Sequence, residues 1–175
     1  MADDNVQKIY SLDTSAVLML GVFYPPERFP LVWERLEEAA RQGKIYLLDK
    51  VYDELQEKDD IVAGWVKERR DLFKKKFPNK LMLRVQGVIK VFPRLIDVNN
   101  TKEQADPYLI VDAEVSGSVI VTHENRMNGL HPNRKKDKIP NVCEHYGIEY
   151  INNFSSGYPN EFAMRLFDAL GFDSF

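Results

Sequence analysis

The chain has 175 residues, 44% hydrophobic and 29% charged, with a formal net charge of −3. That length holds one ordinary domain, and the composition is that of a folded globular protein rather than a disordered one. The mild acidity excludes a polycation that coats nucleic acid by bulk charge, although a carboxylate-built site would add negative charge beside local basic patches. A single cysteine, Cys143, excludes an internal disulfide and a cysteine-rich zinc centre. Residues 1–8 are polar and acidic, without the charged and apolar regions of a signal peptide. The longest apolar run, 16–24, is broken by Gly21, stopped by Pro25 and Pro26, and too short to span a bilayer. A cytoplasmic location with no membrane partner is the expectation.

In chain order, strands and helices alternate. Residues 8–13 (KIYSLD) read as a short strand, and 14–24 as a buried helix ending at the two prolines. Residues 30–42 restart as a helix with Pro30 in the first turn and Leu31, Trp33, Leu36 and Ala40 on an apolar face, stopped by Gly43. Residues 44–49 (KIYLLD) form the second strand. From 50 to about 91 helical spacing dominates: Tyr52 and Leu55 are three apart, Ile61 and Trp65 four, and Leu72 and Phe73 follow, with a break at Pro78. Residues 95–98 are expected to be the third strand. Asp106 then caps a helix that has Pro107 at its first position and Gly117 at its stop. Residues 118–122 (SVIVT) are continuously apolar, as in a strand buried on both faces of a parallel sheet. A helix over 138–146, a strand over 148–151 and a helix over 160–170 close the chain. This order predicts a single α/β domain over 1–175, a three-layer α/β/α fold with a mostly parallel central sheet.

In such a sheet the site lies outside the carboxyl ends of the strands, where strand order reverses. Asp13 ends the first strand, Asp106 opens a helix and Glu124 directly follows the SVIVT strand, so all three are expected at that rim. Glu54 lies one turn into the helix after the second strand and can lean over the same rim. The plain alternatives are that Asp106 only caps its helix, Glu54 belongs to a solvated face, and Glu124 is an ordinary loop acid. Asp13 is harder to dismiss, because an acid between an apolar strand and an apolar helix has no solvent to face. Acids converging on one crevice repel unless a cation or a shared proton compensates them. Hard divalent ions take oxygen ligands, which points to Mg²⁺ or Mn²⁺ and to metal-assisted phosphodiester hydrolysis.

The motifs SLDTSAVL (11–18), VYDEL (51–55), ADPYLIVDA (105–113) and VTHE (121–124), in this order, resemble the PIN-domain superfamily. The likeness is nearest to uncharacterised PIN-like proteins related to VapC-type toxin ribonucleases, and extends to KIPNVCEHYGIEYI (138–151). It implies a PIN-like fold and an Mg²⁺- or Mn²⁺-dependent endoribonuclease, with RNA as substrate and a cognate antitoxin protein as partner. By the resemblance, Asp13, Glu54, Asp106 and Glu124 are the catalytic and metal-binding acids, supported by Ser15 and Thr122. Many PIN domains carry Asp where this chain has Glu124, which leaves direct or water-mediated ligation open. His123 either touches a phosphate or is a surface-loop histidine.

Residues 125–138 (NRMNGLHPNRKKDK) are basic and turn-rich, either a backbone-tracking loop or a solvated connection. Lys67, Arg69, Arg70, Lys74, Lys75 and Lys76 form a second basic stretch, read as a solvated face before an RNA clamp. The aromatic end (Tyr158, Phe162, Leu166, Phe167, Leu170, Phe172, Phe175) either docks on the core, the expected role, or makes a homodimer surface. A haloacid-dehalogenase-like phosphatase would need a second Asp where Ser15 stands. A PIN-like scaffold or RNA-binding module without catalysis is the competing class. Glycine-rich phosphate loops, zinc-spaced histidines and a serine–histidine triad pattern are absent.

Overall fold

The computed structural model describes residues 7–126, 137–153 and 158–172. Five parallel strands, β1 (Tyr10–Leu12), β2 (Ile45–Leu48), β3 (Lys74–Lys75), β4 (Val119–Val121) and β5 (Tyr150–Ile151), form one sheet in the order β3-β2-β1-β4-β5. The chain builds outward from β1 to β2 and β3, then returns to the other side of β1 for β4 and β5. Strand order therefore reverses between β1 and β4. Their register is Tyr10↔Val119, Ser11↔Ile120 and Leu12↔Val121. The core strands are short but wholly buried, as parallel strands covered on both faces must be.

Helices α1 (Thr14–Phe23) and α2 (Pro30–Arg41) connect β1 to β2. Between β2 and β3 lie α3 (Asp49–Gln56), α4 (Ile61–Glu68) and α5 (Arg70–Phe73); α6 (Met82–Val91) and α7 (Asp106–Ser116) lead to β4. Helix α8 (Ile139–Tyr146) leads to β5, and α9 (Glu161–Leu170) follows it. Helix α1 packs on α4 and α9, and α2 on α5, while α7 packs on α6 and α8, which gives the expected α/β/α layers. The α1–α4 contact needs Gly21: a Cβ there would lie 2.1 Å from Val62 Cγ2. Helix α7 is the central covering helix, with Leu109, Ile110 and Val111 fully buried. Each such side chain contributes roughly 1.5–3 kcal/mol relative to exposure.

Three local expectations are corrected. Residues 95–98 form no strand: Pro93–Leu95 is a 3₁₀ turn, and the Asp97 carboxylate accepts from the Asn99 N–H at 2.9 Å. That local side-chain bond competes with a ladder, and Val98 is 80% exposed. The sheet edge is instead Lys74–Lys75, a lysine pair with no apolar signal, whose ammonium groups sit over the Tyr52 and Tyr46 rings at 4.5 and 4.3 Å. In α2 the buried face runs through Val32, Trp33, Leu36, Ala39 and Ala40, with Leu31 outside it. The closing helix buries Phe162, Leu166, Phe167 and Leu170 on the core with Phe172 half-buried beside them, whereas Tyr158 is exposed; Phe175 lies outside the described residues. Among the described residues no helix is long and apolar enough to cross a membrane.

Candidate metal centre at the strand-order reversal

The ladders of β1 and β4 run one residue past each strand and fix the floor of the crevice. Asp13 N–H donates to Val121 O at 2.9 Å, and Thr122 N–H to Ile151 O at 2.9 Å. Asp13 is the N-cap residue of α1, but its side chain does not cap that helix. It turns across the crevice, where Oδ2 accepts from Ser15 Oγ at 2.5 Å and from Thr122 Oγ1 at 2.9 Å. Ser15 Oγ also accepts the His123 N–H at 3.1 Å. The two supporting hydroxyls named from the sequence therefore both reach the first acid.

Asp13 is only 4% exposed, and among the described residues no lysine or arginine pairs with it. Burial pushes its carboxyl up from the ordinary range; the Ser15 and Thr122 hydroxyls oppose that, and the charges of Glu124 and Glu54 add to it. The same charge contacts place Glu124 and Glu54 within electrostatic reach of Asp13. Cys143 on α8 also lies near enough to feel Asp13, though burial is the main cause that pushes its thiol up to about 12.

Glu54 sits near the end of α3, and its Oε2 accepts the Ala105 N–H at 3.3 Å. That amide immediately precedes Asp106, so Glu54 reaches the amino end of α7, which lies at the carboxyl rim because α7 runs back into β4. Asp106 is the first helical residue rather than the cap; the N-cap is Ala105, without a side-chain cap bond. The helix start puts an acid at its positive end, a favourable placement in its own right.

Glu124 is the most constrained of the four. Its Oε1 accepts from Lys138 Nζ at 3.0 Å, and its Oε2 accepts the Ile139 N–H at 2.9 Å. Its own N–H donates to Thr122 Oγ1 at 3.1 Å, and its carbonyl accepts from Asn152 Nδ2 at 3.1 Å. Lys138 and Asn152 were missed as individuals by sequence reasoning. Lys138 was hidden in the basic stretch 125–138, of which 127–136 lie outside the described residues. His123 is half-buried: its ring packs against Phe23 and Phe162, with centroids at 6.2 and 5.3 Å, and its Nε2 lies 3.3 Å from Pro159 O. In the other basic stretch, Arg69, Lys74 and Lys75 are held by Glu37, Asp53 and Asp112 at 2.7, 2.7 and 3.1 Å. That commits half of the supposed clamp to the protein itself.

Among the described residues no three His, Cys, Asp or Glu side chains gather as they stand into a group that could hold a metal ion. The donor chemistry nevertheless fits a hard divalent cation. Mg²⁺ is commonly held by one or two carboxylates, with waters and substrate phosphates completing its shell. Among the described residues Asp13 is a buried acid without a paired cation, and Thr14 Oγ1 next to it is buried with no hydrogen-bond partner.

Fold and site together define an α/β domain that presents a buried carboxylate at its strand-order reversal, with two further acids within electrostatic reach. The chain belongs to the family described as a domain of unknown function, DUF4411, whose model matches residues 10–156. No curated protein matches it.

Proposed function

We propose that the protein is a metal-dependent ribonuclease of PIN-like type. The observation that carries this reading is Asp13: a buried carboxylate at the β1–β4 reversal, with two hydroxyls on it, Glu124 and Glu54 within electrostatic reach and, among the described residues, no paired cation. Asp13, with Glu54 and Glu124 within electrostatic reach and Asp106 at the start of α7, would hold Mg²⁺ or Mn²⁺ directly or through bound water. The ion supplies activation of the attacking water and neutralises charge developing on the phosphate. The Ser15 and Thr122 hydroxyls fix the Asp13 carboxylate in one orientation, so it does not reorganise when the site fills. Glu54 ties α3 to the amino end of α7 and holds the acidic wall of the crevice in place. The toxin role and its antitoxin rest on the resemblance of the motifs alone.

The test is cleavage of mixed RNA with Mg²⁺ or Mn²⁺, beside Asp13→Asn and an EDTA control. The variant is expected to lose on the order of 100-fold or more in rate, the several kcal/mol that a metal supplies to such a transition state. Equal cleavage by wild type and variant would sink the assignment. A second reading, an RNA-binding module without catalysis, is favoured by one observation: Glu124 is already engaged by Lys138 and α8. Absence of both cleavage and metal binding would select it.

A further inference from the structure

Lys138 stands where a lysine should not. It is the N-cap residue of α8, with extended backbone (φ −101, ψ 144) and no side-chain cap bond. That position favours Ser, Thr, Asp or Asn, whose oxygens satisfy the first amides, and a cation there opposes the helix dipole. Glu124, fourteen positions away, supplies the missing cap through the Ile139 N–H at 2.9 Å and holds the Lys138 ammonium at 3.0 Å. A purely structural solution would put the acid at position 138 and dispense with both long side chains. The lysine is also not sealed away: its side chain is 33% exposed, against 13% for Glu124. An ammonium has three donors, and this contact uses one. A hydrogen-bonded chain links it to the centre, from Asp13 through the Thr122 hydroxyl and the Glu124 N–H to the Glu124 carboxylate.

We propose that Lys138 contacts a backbone phosphate of single-stranded RNA bound at the crevice, and that Glu124 is the positioning residue that holds it there. This rests on the ribonuclease reading above. It assigns Glu124 to the cation and to α8, so that its influence on a metal passes through water rather than direct ligation. An ammonium held against the Glu124 carboxylate weakens an empty site for cations and strengthens a filled one for polyanions, which suits a site that binds metal and phosphate together.

The experiment uses the whole protein and two probes. Binding of a fluorescein-labelled oligouridylate is followed by anisotropy over a range of salt in Ca²⁺, and Mn²⁺ binding without RNA by calorimetry. Lys138→Met is expected to weaken RNA binding about tenfold and to lower the slope of log Kd against log salt by about 0.7, one phosphate contact on a single strand. Lys138→Arg should restore both. Glu124→Gln should weaken RNA binding severalfold with the slope unchanged, because the charge remains and only its position is lost. It should also change Mn²⁺ affinity less than about threefold, whereas Asp13→Asn removes Mn²⁺ binding. Circular dichroism confirms that each variant is folded. An unchanged slope and affinity for Lys138→Met overturns the inference, as does Glu124→Gln losing Mn²⁺ to the extent that Asp13→Asn does. If the wild type binds no oligouridylate at any salt, the inference falls. If the Lys138 effects appear without Mn²⁺ binding or cleavage, the inference stands and the ribonuclease reading falls.

Discussion

Two aspartates are almost equally buried in this domain, Asp13 at 4% exposure and Asp112 at 3%, and they are solved differently. Asp112, in the second half of α7, accepts from the Tyr46 hydroxyl and from Lys75 Nζ at 3.1 Å to each oxygen. Tyr46 is tied on to Ser118 Oγ at 2.9 Å, and Ser118 to Ser116 Oγ at 3.1 Å. Three separate segments, β2, β3 and α7 with the turn after it, thus meet on one satisfied carboxylate. Among the described residues Asp13 receives two hydroxyls and no cation, and the charges that act on it, Glu124 and Glu54, are of its own sign. A buried acid with an internal cation holds a fold together. A buried acid without one weakens the fold unless something from outside completes it.

The same substitution should therefore have opposite signs at the two positions. Asp112→Asn leaves the Lys75 ammonium facing a neutral amide and unsettles the Tyr46 bond. Breaking a buried pair in this way costs roughly 3–5 kcal/mol, and about 2–3 kcal/mol here because Lys75 is part-exposed and can turn to water. Asp13→Asn removes a charge that burial and two neighbouring acids disfavour, and should stabilise the metal-free protein by about 1–2 kcal/mol at neutral pH. Thermal unfolding in EDTA reads both, at about 2–4 °C per kcal/mol for a chain of this size. Two shifts of the same sign would break the comparison.

How much of this was readable beforehand follows the same division. Strands β1, β2 and β4 announce themselves as apolar runs, and Asp13 as the one acid that interrupts such a run. Ser15 follows from its motif, and Thr122 from the separate VTHE motif. The reversal between β1 and β4 needs the pairing itself, which no local pattern encodes. Lys74–Lys75 was unreadable as a strand because its backbone joins the sheet while its side chains cover tyrosines from outside. Residues 95–98 read as a strand and Leu95 is buried, yet the Asp97 turn decides the backbone there. Asp112 was seen only as part of an apolar helical stretch, since its cation lies 37 positions earlier in sequence. Glu124 was found as an acid, but its partners on α8 lie beyond any spacing rule, so its role could not be read from the chain.

The smallest effect sharpens the comparison most, because it separates the two aspartates by pH. Asp13 is raised in the folded state, so between its unfolded value, near 3.8, and its raised value the folded protein binds more protons than the unfolded one. Stability then falls as pH rises through that window, and the fall is complete above the raised value. Asp13→Asn should track the wild type in acid, where Asp13 is protonated in both states, and gain on it only as pH rises. Lys75 is raised too: burial pulls its ammonium down, but Tyr46 and Asp112 outweigh that. Its contribution is full below about 10.5, its unfolded value, and is lost only as pH climbs through the raised one. Mn²⁺ at about five times its Kd should return about 1 kcal/mol to the wild type at neutral pH, and nothing to Asp13→Asn. Asp112→Asn should keep that metal response while remaining less stable throughout. If Mn²⁺ stabilises Asp13→Asn as much as the wild type, Asp13 is not where the cation binds, and its burial would need another explanation.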